Sequence, residues 1–139
     1  MSSQTITQND LKNILNEVLT GIAANYVIEE GESNSFAYRK WKNGTYEAWT
    51  SYTATSLTLT SSSAGTYYGG SATTLNLPSF STYVGYISYA VTSPTSSGVY
   101  IYRVYPNAAG TQLSVEYRAH ASTSGGTCGT SIYVRGNWI

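Results

Sequence analysis

The sequence predicts an all-β protein, an antiparallel β-sandwich of jelly-roll-like character, preceded by a short amino-terminal α-helix. Composition is the first reason: the 139 residues include 14 Tyr and 13 Gly but only 3 Pro, and Tyr, like the abundant Thr, is typical of strands. Pattern is the second reason: from Asn25 onward apolar and polar residues alternate, with Gly and hydroxyl clusters roughly every ten residues, as in a sandwich or barrel. Helical periodicity is confined to the residues before this point. We therefore expect a helical segment over residues 1–24 and a β-sandwich domain over residues 25–139.

An amphipathic helix is predicted near the amino terminus. Its apolar residues recur at helical spacing and form one stripe: Leu11, Ile14, Leu15, Val18, Leu19 and Ile22. Thr7 and Asp10 have the spacing of a capping box. A helix of this length is marginal alone, so the stripe needs a partner. It packs either across the protein's own sheet or against the same helix of other copies. Two short heptads fit the second alternative and favour a homotrimer.

The clearest hairpin signal is Asn43-Gly44, a pair typical of a two-residue type I′ turn. Such a turn places Lys40 opposite Glu47 and Tyr38 opposite Trp49. We expect an ion pair from the first of these and an aromatic pair from the second.

Six further strands are predicted by alternation: Ser56–Thr60, Thr73–Leu77, Thr82–Val91, Gly98–Tyr105, Gln112–Ser122 and Ser131–Gly136. In the fifth of these, one face is expected to point inward: Leu113, Val115, Tyr117, Ala119 and Ala121. The opposite face carries His120, which is read as a solvated strand histidine. Residues 93–98 are predicted to be a hairpin loop between the third and fourth of these strands.

Charge excludes several classes of function. Formal net charge is zero, only 10% of residues are charged, and residues 48–102 carry no charge at all. A phosphate-binding surface needs clustered Lys and Arg, so no nucleic acid is expected as a partner. Catalysis by carboxylates would have to use Glu47 and Glu116, and we expect no enzyme, no cofactor and no metal. Cys128 is the only cysteine, and we expect it to be buried and to have no functional role.

No targeting or membrane segment is expected. The first ten residues are polar and lack the pattern of a signal peptide, and no apolar stretch approaches the roughly 18 residues of a membrane span. A β-rich chain without such a signal is expected to leave a cell by lysis or to be part of a longer exported chain.

Three segments are predicted to be loops: Ser61–Ala72, Ser93–Gly98 and Ser122–Thr130. Their Ser, Gly and Tyr are typical of binding loops, although flexible solvated loops have a similar composition. Tyr67 and Tyr68 are too bulky and apolar for a loop that binds nothing, and they are our candidate ligand-binding residues. Stacking and neutral hydrogen bonding suit a sugar, whereas calcium would require several carboxylates in one loop.

Two blocks of sequence carry a resemblance to a known family. The first comprises Tyr26-Val27-Ile28-Glu29-Glu30-Gly31 and Tyr38-Arg39-Lys40-Trp41-Lys42-Asn43-Gly44-Thr45-Tyr46-Glu47-Ala48-Trp49. The second is the carboxy-terminal Val134-Arg135-Gly136-Asn137-Trp138-Ile139. Together they resemble the carboxy-terminal domains of minor structural and tail-fibre proteins from phages and prophages of Gram-positive bacteria. Asn137 and Ile139 replace the Arg and Lys of that family, and Ala48 stands where the family often has Cys.

The resemblance implies a β-rich, usually trimeric domain exposed on a virion appendage, with no catalytic residues to transfer. The expected function is therefore a non-enzymatic virion structural protein that attaches to a host-surface glycan and contacts other virion proteins. Two alternatives stay open. One is a bacterial carbohydrate-binding module or adhesin, which would be a monomer. The other is a purely architectural spike or capsid decoration protein without a host ligand.

Overall fold

The computed structural model describes residues 5–23, 25–70 and 72–139. These residues form one helix and ten strands: α1 (Gln8–Ala23), β1 (Val27–Ser33), β2 (Phe36–Trp41), β3 (Thr45–Leu59), β4 (Ser61–Ser63), β5 (Thr66–Tyr68), β6 (Thr73–Asn76), β7 (Tyr83–Thr95), β8 (Val99–Pro106), β9 (Gln112–Ala119) and β10 (Thr123–Asn137).

The strands form two antiparallel sheets packed against each other, which confirms the predicted β-sandwich. The first sheet has the order β1-β2-β3-β10-β7. In the second sheet β9 is central: it pairs with β8 along one edge and with β6 and then β5 along the other, and β4 pairs with β5. The chain passes between the sheets four times, after β3, β6, β7 and β9.

The core lies between the two sheets. On β9 the predicted alternation is confirmed for Leu113, Val115, Tyr117 and Ala119, which are all buried. They face buried residues of the first sheet such as Ile132 and Val134 on β10. Burial of each leucine, isoleucine or valine side chain stabilises the fold by about 1.5–3 kcal/mol. Ala121 was expected to continue the inward face, but β9 ends at Ala119 and Ala121 is exposed.

The amino-terminal helix has the predicted cap. The backbone N–H of Asp10 donates to Thr7 Oγ1 at 3.1 Å, and the N–H of Thr7 donates to Asp10 Oδ2 at 3.2 Å. Hydrogen bonding of the Asp10 carboxyl to the Thr7 side chain, and then to the Thr7 backbone N–H, lowers the pKa of this carboxyl.

The apolar stripe of the helix is uncovered in the single chain. Its described members are 50–58% exposed: Leu11, Ile14, Leu15, Val18 and Leu19. The side chain of Ile22 lies outside the described residues. The alternative in which the helix packs across its own sheet is therefore wrong for these five positions.

The hairpin at Asn43-Gly44 forms with a different turn from the one predicted. Only Gly44 of the pair has a positive φ, 89°, and its N–H donates to the carbonyl oxygen of Trp41 at 3.1 Å. This is the longer loop with a glycine bulge, and it moves the register by one residue. Lys40 therefore pairs with Tyr46 rather than with Glu47, and Tyr38 pairs with Ala48 rather than with Trp49.

The ion pairs follow this corrected register. Glu47 has Arg39 as its partner, with Arg39 Nη1 3.6 Å from Glu47 Oε1. Lys40 instead reaches Glu29 on β1, with Nζ 3.3 Å from Oε2.

The three predicted loops differ from the prediction. Within Ser61–Ala72, β4 and β5 pair as a short hairpin. Residues 93–98 do not close a hairpin, because β7 pairs with β10 in the first sheet while β8 pairs with β9 in the second. Most of Ser122–Thr130 belongs to β10, which begins at Thr123 and is the longest strand of the first sheet together with β3.

The two edges of the first sheet differ in character. The β1 edge carries Glu29, Glu30 and Glu32, whereas the 13-residue β7 has no charged residue. Three tyrosines of β7 are exposed: Tyr83, Tyr86 and Tyr89.

The two blocks that carry the family resemblance contact each other. Trp138 Nε1 donates to the carbonyl oxygen of Trp41 at 3.1 Å. Lys40 Nζ lies 5.2 Å from the Trp138 ring and 4.2 Å from the Phe80 ring. These contacts give the motif a framework role on the first sheet.

Close approach of β7 to β10 gives a prediction for Gly136. A Cβ added there would overlap the backbone carbonyl oxygen of Tyr83, which cannot move without breaking the sheet. We expect Gly136→Ala to lower the free energy of unfolding by about 1–3 kcal/mol or more, measured by denaturant titration. Gly70→Ala is the matched control, because nothing lies within 4 Å of a Cβ at Gly70. Equal stability of the two variants would contradict this packing.

Candidate functional site: the outer face of the second sheet

The outer face of the second sheet is built by the alternation of β9. Because Val115, Tyr117 and Ala119 point into the core, Glu116 and Arg118 point outward. Cross-strand pairing adds neighbours on the same face: Tyr68 of β5 and Tyr100 of β8 pair with Arg118, and Arg103 of β8 pairs with Glu116. We call the surface formed by Tyr68, Tyr102, Arg103, Glu116 and Arg118 the aromatic–arginine face.

Glu116 is fully engaged by its neighbours. Arg103 Nε and Nη2 donate to its two carboxylate oxygens at 2.6 and 2.9 Å, and the Tyr105 hydroxyl donates at 3.2 Å. The Arg103 hydrogen bonds are the main cause that holds the pKa of Glu116 below its ordinary value. Glu116 is therefore an ionised partner of Arg103 at neutral pH.

Arg118 is held by aromatic rings. Its Cζ lies 3.6 Å from the centroid of the Tyr102 ring and 5.8 Å from that of Tyr68. Arg118 Nη1 donates to Thr66 Oγ1 at 3.0 Å. Contact with the Tyr102 ring orients the guanidinium group at the surface.

A cleft of about 540 Å³ opens beside this face. It lies beside the part of β9 that pairs with neither β5 nor β6. Its walls come from β3, from the segment that connects β5 to β6, and from β9. The described lining residues are Thr55, Ser56, Leu57, Thr58, Leu59, Tyr68, Gly69, Gly70, Ala72, Thr73, Glu116, Tyr117 and Arg118.

The β3 wall of the cleft is a β-bulge. The register of β10 with β3 shifts between Ala54 and Leu57, and Ser56 adopts a φ of 56°. A positive φ is uncommon for a residue other than glycine, and bulges commonly re-aim side chains beside binding sites. Thr55, Ser56 and Thr58 supply hydroxyl groups to this wall.

The two predicted ligand-binding tyrosines separate. Tyr68 is 38% exposed and lines the cleft. Tyr67 pairs with the buried Ala119, is half-buried and packs against the core. Neighbouring residues of a strand point to opposite sides, so the structure brings only Tyr68 to the site.

Sequence reasoning missed the arginines of this site. The alternation that buries Val115, Tyr117 and Ala119 also places Glu116 and Arg118 on the outward face of β9, but it does not indicate that they form a site. A signal was present in the charge distribution, since three of the four charges after Glu47 are Arg103, Glu116 and Arg118. All three belong to the aromatic–arginine face.

The single histidine and cysteine lie outside the cleft lining. His120 is exposed, as predicted, and its ring stacks on Tyr100 with centroids 5.0 Å apart. Cys128 is buried, and burial raises the pKa of its thiol. The described residues contain no group of three or more His, Cys, Asp or Glu that could hold a metal ion.

A second cleft, of about 560 Å³, lies between the two sheets near β2 and β6. Its lining is uncharged, and its two aromatic residues, Phe36 and Tyr52, are buried or half-buried. It lacks the exposed ring and the cation that the first cleft presents.

No family model, curated protein or solved structure matches this chain. Within the described residues, no helix has the length and apolar character needed to cross a membrane.

Separate substitutions of Tyr67 and Tyr68 test this placement. We expect Tyr67→Ala to lower the free energy of unfolding by roughly 2–3 kcal/mol, somewhat less than a fully buried ring, because it removes a half-buried ring from the core. Tyr68→Ala should change it by less than about 1 kcal/mol, as is usual at exposed positions. Thermal unfolding followed by near-ultraviolet circular dichroism measures both. A larger loss for Tyr68→Ala than for Tyr67→Ala would contradict the assignment.

Proposed function

We propose that this chain is a non-enzymatic structural and host-attachment protein of a phage virion, the head domain of a tail fibre or another appendage. It binds a host-surface saccharide in the cleft beside the aromatic–arginine face. The observation that carries the proposal is the meeting of an exposed ring, Tyr68, a guanidinium group, Arg118, and the hydroxyl groups of β3 at one cleft. The resemblance of the β2–β3 hairpin and the carboxyl terminus to phage appendage domains supports the virion setting.

The chemistry of the cleft suits a saccharide. A sugar ring has an apolar face that stacks on an aromatic ring, and Tyr presents such a surface at low entropic cost. Its hydroxyl groups need polar partners, which Thr55, Ser56 and Thr58 provide. A volume of about 540 Å³ lies in the usual range of small-molecule sites.

The positions of the carboxylates support a non-enzymatic role. Hydrolysis of a glycosidic bond commonly uses two carboxyl groups that flank one bond. Glu116 lies on the outer face of the second sheet and is engaged by Arg103. Glu47 lies on the first sheet, where Arg39 and the Tyr133 hydroxyl contact it. The two carboxylates therefore face opposite sides of the sandwich.

The exposed stripe of α1 supports self-association. Five large apolar side chains with half or more of their surface exposed are unfavourable in water. Burial against the same stripe of two other copies would cover them, in the manner of a short coiled bundle. We propose a homotrimer in which the helices join the copies and the sandwiches carry the attachment surface, anchored to other virion proteins.

Two alternatives share part of this arrangement. A bacterial carbohydrate-binding module or adhesin would use the same cleft as a monomer. An architectural spike or decoration protein would assemble through α1 without binding a saccharide. Oligomeric state and cell binding separate the three.

Cell binding tests the attachment role. We expect Tyr68→Ala to weaken binding of the labelled protein to Gram-positive cells about tenfold, the loss that corresponds to ~1.4 kcal/mol of contact energy. Tyr83→Ala is the control, because Tyr83 is an exposed tyrosine on the other sheet. Equal binding by both variants would show that the cleft is not the attachment site.

Sedimentation equilibrium tests the assembly role. We expect the intact protein to be a trimer at micromolar concentration and Leu15→Lys to shift it to monomer, since a charge would enter the buried stripe. Asn16→Lys adds the same charge next to the stripe and should leave the trimer intact. A monomeric intact protein would contradict the trimer and favour the carbohydrate-binding module.

A further inference from the structure

The charges on the aromatic–arginine face do not balance. Arg103 and Glu116 neutralise each other through two hydrogen bonds. Arg118 forms no ion pair with any residue that the structure describes. This surface therefore carries one net positive charge, within a chain whose residues 48–102 have none.

The guanidinium of Arg118 is oriented but incompletely used. Tyr102 supports its plane at 3.6 Å from the ring centroid. Within the described part of the chain its one hydrogen bond goes from Nη1 to Thr66. A guanidinium has five N–H donors in a fixed fork that matches a carboxylate or a phosphate in two parallel hydrogen bonds.

The surroundings strengthen this preference for an anion. Arg118 is half-buried among rings, so water screens its charge less than it screens a fully exposed arginine. Glu116 also lines the cleft, but its oxygens already accept hydrogen bonds from Arg103 and Tyr105. A neutral sugar would leave the charge of Arg118 without a partner, whereas an anionic sugar would supply one.

We propose that the cleft selects an anionic saccharide: Arg118 binds its carboxylate or phosphate group while Tyr68 stacks on the sugar ring. This inference rests on the proposed saccharide-binding function and adds the ligand's charge to it. Carboxylate and phosphate share the required chemistry, and the experiment distinguishes them.

The experiment is a titration of the intact, isotope-labelled protein, followed by amide chemical shifts. Three probes share a methyl glucoside scaffold: the neutral methyl glucoside, methyl glucuronide and methyl glucoside 6-phosphate. We expect one or both anionic sugars to bind at least tenfold tighter than the neutral one, with shifts at the cleft amides. The tighter of the two anionic sugars identifies the source of the anionic group. Raising the salt concentration should reduce the advantage.

Substitutions of arginine locate the effect. Arg118→Gln should abolish the preference for the anionic sugars. Arg118→Lys keeps the charge without the fork and should retain part of it, which also guards against a fold defect in the first variant. Arg135→Gln removes the same charge from the other sheet and should have no effect.

The possible outcomes distinguish failure of this inference from failure of the proposed attachment function. Equal affinity for neutral and anionic sugars, or a preference that persists in Arg118→Gln, overturns the inference and leaves a neutral saccharide site. Absence of binding by all three probes, with cell binding that still depends on Tyr68, also overturns it and leaves the attachment role. Absence of binding by all three probes, together with cell binding that does not depend on Tyr68, overturns the inference and the proposed function together.

Discussion

A chain of buried hydroxyl groups joins the two sheets, and the placement of the site depends on it. The Tyr117 hydroxyl of β9 is 2.7 Å from the Tyr52 hydroxyl of β3 and 2.7 Å from Thr130 Oγ1 of β10, and Thr130 donates onward to the Cys128 carbonyl oxygen at 3.1 Å. Burial raises the pKa of Tyr52 and of Tyr117, so both stay protonated donors. Buried polar groups are costly when unpaired, and every such described side-chain atom has a partner. Hydrogen bonds to Tyr52 and Thr130 hold the Tyr117 side chain between the sheets. Its neighbours on β9 must therefore face solvent.

Local pattern predicted the fold class and the inside of β9 because β9 alternates strictly between apolar and polar residues. It failed at the β2–β3 hairpin, where aromatic residues occupy both faces and hydrophobicity does not choose between registers. Asn43-Gly44 is compatible with two turns. The contacts of Lys40 with Phe80 and Trp138 are consistent with the observed one, but these partners are distant in sequence.

The candidate site was only partly accessible from sequence for a related reason. Tyr68 was recognised as a bulky residue in a polar segment, but its partners come from β8 and β9 through long-range pairing. Assigning residues 93–98 to a hairpin placed the β8 tyrosines in the same sheet as β7. In the structure the chain changes sheets there, which brings Tyr102 to Arg118. No local period reports such a crossover.

The unequal edges of the first sheet limit how copies can stack side by side. Strand edges offer unpaired backbone N–H and C=O groups, and charged side chains are a common means of blocking them. The β1 edge carries three glutamates and the β7 edge carries none. Growth of the first sheet across copies requires two receptive edges on every copy, and this sheet has one. Edge-to-edge pairing of the first sheet through β7 therefore ends with the second copy, so this sheet cannot extend from copy to copy into a fibre.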